Sequence, residues 1–449
     1  MNMNALRWAA ASGCALFLTA AIAGAANAQQ IDPSITFNPN NTLSSSFDRG
    51  ENISVRERPR PEYQAAGIHL GGFMLFPKLT SSFTYDDNIY ALHTHAIGDE
   101  IFTVNPELDL QSTWSRNSLA AYVRLQQDWY MQHSSEDATQ YGAGIDGKYE
   151  FGHSTLTAGV DYGHYALPRT AANVVNGSTS SIATLSKHRI TYDYTAANVE
   201  LAHTFNRLRL SARADYQLYS YQNGLTPGGI PVIEVGQNHN VETYTGKAEY
   251  AVSPDTALFV IGAYNQRYYD IQPPDPRVTL DRNSTGYNVG GGINFDLTHL
   301  VRGEVQVGYL DQEYASPLLK PIKGVSAKGQ IEWFPSQLTT VTATVNRDVG
   351  DSGIIGSAGF LATNGGIQID HELMRNVILT ANATVGQDQY QGISRTDDLW
   401  GAGVSANWLL NRAVGITFAY AHLNQSSHGA DRGPSFGDNR LTVSLVLQR

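Results

Sequence analysis

Histidines close to carboxylates are the residues of this 449-residue chain best suited to acid–base chemistry. An imidazole held by a carboxylate can act as a general base in hydrolysis. The candidates on predicted strands are His164, His371 and His422, with Asp161, Asp370 or Glu372. The alternative, which we favour, places these histidines in a membrane-interface girdle or a polar lumen. We therefore predict no catalytic residue and no enzymatic activity.

A second group suggests cation binding. His93, His95, Asp99 and Glu100 lie within eight positions of one predicted loop, and mixed nitrogen and oxygen ligands can hold a metal. A solvated loop explains the same residues without a metal, and we predict none. The neighbouring Asp86 and Asp87 either order this loop or end the strand before it.

Phosphate and nucleophile motifs are incomplete. Residues 142–148 have phosphate-loop spacing, but Tyr149 stands where a serine or threonine would bind magnesium. Gly290, Gly291 and Gly292 lie inside a strand pattern, which indicates close packing or a bend. Residues 403–407 lack the last glycine of a nucleophile elbow. The sequence predicts no cofactor.

Two-residue alternation from about residue 75 to the end predicts the elements that position these side chains. Between Arg207 and Leu218, apolar and polar residues take strictly alternate positions, as in a strand with two different faces. We count about 18 such segments, in the range of bacterial outer-membrane barrels. They lie near residues 75–87, 101–114, 117–132, 138–152, 154–168, 188–205, 207–222, 240–253, 255–270, 283–297, 301–314, 322–335, 337–349, 360–373, 376–390, 396–410, 413–425 and 438–448.

The connections between these segments alternate in length. Short ones such as residues 152–153 and 206–207 alternate with long polar ones such as 168–187 and 223–239. An up-and-down membrane barrel has short periplasmic turns and longer outer loops, with lipid outside and a wet lumen inside. The sequence therefore predicts an all-β transmembrane antiparallel barrel. A secreted solenoid or propeller is the alternative, but no fixed repeat period is visible.

The polar faces of the predicted strands carry charged residues that would line the pore. Charged rings of this kind set the selectivity of channels. Arg207, Arg209 and Arg213 form a basic ladder for anionic solutes, or else internal ion pairs that stiffen the wall. The full set of pore-lining candidates is Arg124, Asp128, Arg207, Arg209, Arg213, Asp215, Arg302, Glu304, Lys328, Glu332, Asp370 and Asp388.

The N-terminus and the composition predict export. Residues 1–28 read as a cleaved signal peptide ending in Ala26-Asn27-Ala28, with a lipoprotein signal or an uncleaved anchor as alternatives. The single cysteine, Cys14, lies within it, so the mature chain would have no disulfide. A net charge of −11 argues against a nucleic-acid partner.

Residues 29–70 differ from the rest. They show little alternation and end in the charged, proline-rich run from Val55 to Tyr63. We predict a short irregular periplasmic arm before a barrel at residues 71–449. The arm is interpreted as a plug, as a docking segment for a periplasmic partner, or as an unstructured leader.

The end of the arm and the first strand resemble the opening of the putative β-barrel porin 2 family of proteobacterial outer-membrane proteins. The resemblance rests on Arg56-x-Arg58-Pro59-Arg60-Pro61-Glu62-Tyr63, the Gly67–Phe73 segment and Thr84-Tyr85-Asp86-Asp87-Asn88-Ile89-Tyr90. It implies an outer-membrane barrel, and in some relatives an accessory role in exopolysaccharide export. The expected partners are outer-membrane lipid, the barrel-assembly machinery and periplasmic export components.

The expected function is passage of solutes or exopolysaccharide across the outer membrane. The alternative is a closed structural or adhesive barrel. One feature departs from the usual pattern of such barrels, because the chain ends in Arg449 rather than in an aromatic residue. Either Leu447 takes the place of that terminal anchor or assembly is less efficient.

Overall fold

The computed structural model describes residues 52–170 and 186–449, apart from 277, 279, 298, 299, 355 and 358. Within these residues, eighteen strands of 13 to 16 residues form one antiparallel sheet. They are β2 (Phe73–Asp86), β3 (Asp99–Ser112), β4 (Ser118–Tyr130), β5 (Ala138–Phe151), β6 (Ser154–Ala166), β7 (Thr191–Phe205), β8 (Leu208–Tyr221), β11 (His239–Ser253), β12 (Thr256–Tyr269), β13 (Ser284–Leu297), β14 (Val301–Tyr314), β15 (Ile322–Ser336), β16 (Thr339–Asp351), β17 (Gly359–Met374), β18 (Val377–Tyr390), β19 (Thr396–Leu409), β20 (Val414–His428) and β21 (Phe436–Gln448).

Three short strands lie outside this set. The strand β1 (Ile68–Leu70) pairs with the start of β2. The strands β9 (Gly224–Leu225) and β10 (Pro231–Val232) form a small separate hairpin in a long loop. Short 3-10 turns occur at Ser134–Glu136 and Val235–Gln237. No helix among the described residues is long and apolar enough to cross a membrane.

The sheet closes on itself through its first and last long strands. Each long strand pairs with the one before and the one after it, and β2 also pairs with β21, from Lys78 opposite Gln448 to Asp86 opposite Arg440. Closure leaves no unpaired edge, which a bilayer requires because it offers no hydrogen-bond partners. The predicted 18-strand barrel is confirmed.

The two faces of the wall differ as the alternation predicts. On β6 the side chains of Val160 and Tyr162 are exposed, whereas Asp161 between them is buried. On β21 Val443, Leu445 and Leu447 are exposed, and together such residues form the apolar outer band. The inner face carries the buried polar and charged residues.

The connections between strands alternate in length as predicted. Two-residue turns such as Gly152-His153 and Asn206-Arg207 lie at one end of the barrel, here called the short-turn end. Longer segments such as 87–98, 222–238 and 270–283 lie at the opposite, long-loop end. The predicted signal peptide and the first part of the arm fall outside the described residues.

Candidate functional site

Of the predicted arm, residues 29–70, the structure describes residues 52–70, and residues 52–63 lie against the inner face of the barrel at the short-turn end. The Asn52 amide donates to the carboxylate of Asp296, and the backbone N–H of Val55 donates to Thr340 Oγ1 at 2.9 Å. Asp296 and Thr340 are buried on β13 and β16. These two contacts therefore hold the arm in the lumen, against the inner face of the barrel.

Three arginines of the arm meet two acidic residues of β17. Arg56 Nε lies 3.0 Å from Asp370, while Arg58 and Arg60 lie 3.4 Å and 2.7 Å from Glu372. Asp370 and Glu372 share the inner face of β17, because alternate residues of a strand point the same way, whereas residues 54–58 of the arm form a turn closed by the Arg58 N–H and the Ser54 carbonyl at 3.0 Å. The arm thus docks by matched charges.

Arg302 of β14 also joins the arm to the wall. Its guanidinium, 2% exposed, donates to Glu57 at 2.6 Å, to the Asn52 carbonyl at 3.0 Å and to Glu332 at 2.7 Å. Burial raises the pKa of Glu57, but the charge of Arg302 and hydrogen bonds from Ser54 outweigh it and hold the pKa below its ordinary value.

Side chains at the short turns bind the backbone of the arm where it leaves the lumen. Arg375 donates to the Pro59 carbonyl at 2.9 Å and Arg412 to the Pro61 carbonyl at 2.7 Å. Both prolines restrict the preceding residue to extended conformations. The Gln448 amide of β21 then donates to the Tyr63 carbonyl at 3.3 Å, so the arm crosses the short-turn end from β13 toward β21 before the chain enters β2.

The structure divides the predicted pore-lining residues into groups. Arg302, Glu332 and Asp370 take part in arm docking, as described above. Elsewhere, Lys247 pairs with Glu304 at 3.1 Å. Asp388 is buried, and Lys328 is partly buried. Much of the lumen charge is thus held in pairs or in the arm site.

The wall from β4 to β7 contains a polar network. Arg124 donates to the Tyr165 hydroxyl at 3.1 Å, and Tyr122 donates to Asp161 at 2.8 Å. Asp128 accepts from Arg189 at 3.0 Å. Aromatic hydroxyls and charged groups thus hydrogen-bond to one another on this side of the lumen.

The basic ladder is only partly free. Arg213 binds Asp215 at 2.7 Å and approaches Glu200 at 3.7 Å. Arg209 is partly buried on the inner face, whereas Arg207 is exposed in a short turn. Within the described ranges, neither Arg207 nor Arg209 appears in an ion pair.

The histidine–carboxylate pairs that we considered but did not favour do not form. His164, His371 and His422 share the phase of the exposed apolar residues of their strands, whereas Asp161, Asp370 and Glu372 point inward. His164 instead contacts Asp193 at 2.9 Å, and His422 contacts Asn439 at 2.8 Å. Strand alternation separates near neighbours in sequence onto opposite faces.

The cation ligands suggested for the first long loop also separate. Asp99 accepts from the ring and backbone of His133 and from Gln132, while His93 contacts the Ser435 carbonyl. Among the described residues, one set of three potential ligand side chains lies close enough together to bind a single metal ion. It consists of Asp86, Asp87 and Asp438.

Loops pack together over the long-loop end. Arg282 donates to the Ser352 carbonyl at 2.9 Å and to the carbonyl of Gly236, which joins three loops. Glu234, 3% exposed, accepts from Gln237 in one of them. Burial raises the pKa of Glu234 to about 7, although Gln237 and Arg282 act in the opposite direction.

Sequence comparison identifies one family. The family described as putative beta-barrel porin 2 matches residues 60–449, which include the end of the arm and the whole barrel. No curated protein matches the chain.

Three similar solved structures come from bacteria. OccAB3 of Acinetobacter baumannii is 11% identical, with a TM-score of 0.45, over 85% of this chain and 100% of that one. OccK2 (OpdF) of Pseudomonas aeruginosa is 12% identical, with a TM-score of 0.44, over 84% and 99%. A BenF-like porin of Pseudomonas fluorescens Pf-5 is 10% identical, with a TM-score of 0.44, over 84% and 99%.

Proposed function

The chain belongs to the putative β-barrel porin 2 family, and from this premise we propose that it passes small polar solutes through the outer membrane. It is a porin-like outer-membrane β-barrel. Barrels of about 16–18 strands enclose an aqueous channel unless a segment fills it. In such barrels the short turns are periplasmic, so the docked arm lies at the periplasmic mouth.

The docked arm is the observation that carries the proposal. The contacts with Asp296, Thr340, Asp370 and Glu372 place residues 52–60 along strands β13 to β17, and no hydrogen bond or ion pair described for residues 52–63 reaches strands β4 to β8. An arm held by several ion pairs narrows the channel and adds its own charges to the mouth. The proposal is a channel constricted at its periplasmic end.

Passage of an exopolysaccharide requires more space. A hydrated polymer is wider than a small solute, so we expect it to pass only when the arm is displaced, for example by a periplasmic partner. The prolines and backbone carbonyls at Pro59 and Pro61 lie at the mouth, where such a partner would reach them.

Single-channel recording in a planar bilayer tests the proposal. The refolded mature barrel should give a steady ionic current, and removal of residues 29–66 should increase it. Glu372→Gln, which removes the charge shared by Arg58 and Arg60, should give an intermediate or flickering current. The matched control is Glu313→Gln, which neutralises a 68%-exposed residue near the long-loop end.

The closed-barrel alternative gives a different result. A folded barrel that carries no current with or without the arm would support a structural or adhesive role and contradict the channel. Equal currents from both forms would keep the channel but contradict the constriction.

A further inference from the structure

Three aspartates from the two ends of the barrel sequence meet where the barrel closes. Asp86 ends β2, Asp87 follows it, and Asp438 lies near the start of β21. One carboxylate oxygen of each lies within 4.8 Å of the other two. Asp86 and Asp438 are 1% and 0% exposed, so this cluster lies within the protein at the long-loop end.

The hydrogen bonds around the cluster satisfy two of the three carboxylates. Asp87 accepts from the backbone and side-chain amides of Asn439 at 2.8 Å and 2.7 Å. Asp86 accepts from the backbone N–H of Asn88 at 2.8 Å. In the fully buried Asp438, Oδ2 lies 3.1 Å from Arg440 Nη2, whereas Oδ1 receives no hydrogen bond from the described residues. A buried carboxylate oxygen without a donor is costly, so Asp438 Oδ1 calls for another partner.

The charges of the cluster do not balance. Among the described ion pairs, the one cation that reaches these aspartates is Arg440, 2.8 Å from Asp86 and 3.1 Å from Asp438. Three carboxylates and one guanidinium leave a net charge of −2 if all three carboxylates are ionised. A divalent cation would neutralise the cluster.

We propose that Asp86, Asp87 and Asp438 bind a hard divalent cation, most suitably Ca²⁺. Calcium takes carboxylate oxygens at about 2.3–2.6 Å, so two ligands of one ion lie at most about 5 Å apart. The 4.8 Å limit of the cluster fits this geometry. Ca²⁺ also accepts irregular ligand sets completed by water, whereas Mg²⁺ demands near-ideal octahedral geometry.

The bound cation ties the barrel closure to an outer loop. Asn88 follows the aspartate pair and donates to the carbonyls of Leu92 and Gly437, at 2.9 Å and 2.8 Å. The ion therefore stabilises the β2–β21 seam and loop 87–98 together. Its removal loosens both.

Terbium luminescence provides the test, because Tb³⁺ occupies oxygen-rich Ca²⁺ sites and nearby tyrosines sensitise its emission. The full mature barrel is refolded in detergent free of lipopolysaccharide, which itself binds cations. We expect saturable emission that Ca²⁺ displaces, and a Ca²⁺-dependent rise in the thermal unfolding temperature.

Asp438→Asn and the partly exposed Asp87→Asn should lose both signals. Asp398→Asn, the same charge change at a 48%-exposed position of the long-loop end, should keep them. Heat-modifiable migration on gels verifies that each variant folds. If Asp438→Asn does not fold, Asp87→Asn provides the test.

Failure of saturable binding by the folded wild type would overturn the proposal and favour a proton shared between Asp86 and Asp438. Undiminished binding by a folded Asp87→Asn or Asp438→Asn would overturn it as well.

Discussion

Arg60 of the arm and Glu372 of β17 form a buried ion pair, with 2.7 Å between Nη2 and Oε2 and side chains only 5% and 4% exposed. The same Arg60 nitrogen donates to the Val55 carbonyl at 2.8 Å, so the pair also fixes the fold of the arm itself. Removing one partner of a buried pair leaves the other charge unpaired, which costs about 3–5 kcal/mol. The pair is therefore expected to decide whether the arm stays in the barrel.

A charge swap tests this dependence. Glu372→Arg should release the arm because it repels Arg58 and Arg60, and trypsin should then cut after Arg56, the one of the three docking arginines that no proline follows. Adding Arg60→Glu should restore part of the protection, because one favourable pair forms again. Time-resolved trypsin digestion of the folded barrel, read by mass spectrometry, measures both effects. Equal cleavage of the single and double variants would show that the pair does not control docking.

Acidification should release the arm through Glu57. Burial opposes ionisation of this residue, yet Arg302 lowers its pKa below the ordinary 4.5 in the docked arm. Its contribution to docking is therefore complete above pH 4.5 and is lost as pH falls through the lowered pKa. The protein is first incubated at acid pH and then returned rapidly to the pH at which trypsin is active. We expect trypsin to cut the arm faster in this sample than in one kept at neutral pH. Glu57→Gln should remove this component, and an unchanged pH profile in that variant would contradict it.

The barrel could be predicted from sequence because each strand carries its own signal. Alternation along Arg207–Leu218 reports two faces locally, without knowledge of any partner strand. The docking of the arm could not be predicted from alternation alone, because it depends on comparing the charges of the arm with those of a distant strand. The basic residues Arg56, Arg58 and Arg60 are opposite in charge to Asp370 and Glu372, and this complementarity was the available signal.

The aspartate cluster at the β2–β21 seam could not be predicted from local sequence patterns. Asp86 and Asp87 were recognised as a pair at the end of a strand, but Asp438 is about 350 residues away in the sequence. Their contact depends on the register between β2 and β21, which the closure of the whole barrel sets. The histidine–carboxylate alternative, which we did not favour, fails for a related reason, because proximity along a strand often places side chains on opposite faces.

Ion selectivity should depend on Arg209 more than on Arg213. Arg213 is neutralised by Asp215 and Glu200, whereas Arg209 has no ion pair within the described residues. Arg209→Glu should shift the reversal potential in a salt gradient toward cations, while Arg213→Gln should change it less. Arg207→Glu, in the exposed turn, is the matched control. Unchanged potentials after replacement of all three would contradict a basic lumen.

The outer loops should loosen at alkaline pH. Burial raises the pKa of Glu234 from 4.5 to about 7, so its neutral form fits the packed loop. The stabilisation is complete below pH 4.5 and is lost as pH rises through about 7. Hydrogen exchange of residues 222–238, corrected for its intrinsic pH dependence, should therefore accelerate between pH 6 and 8. Glu234→Gln should abolish this step, and the same step in that variant would assign it to another group.

The glycine-rich part of β13 should tolerate no side chain at Gly290. A Cβ there would lie 2.5 Å from the Val307 carbonyl oxygen of β14, a backbone atom that cannot turn aside. Gly290→Ala should therefore cost about 1–3 kcal/mol, the range seen for overpacking. Gly246→Ala on β11 is the control, since nothing lies within 4 Å of its added Cβ. Urea-dependent unfolding in lipid vesicles, followed by heat-modifiable migration, should separate the two variants. Equal stability would mean that the wall adjusts at Gly290 and that the glycines are not needed for close packing.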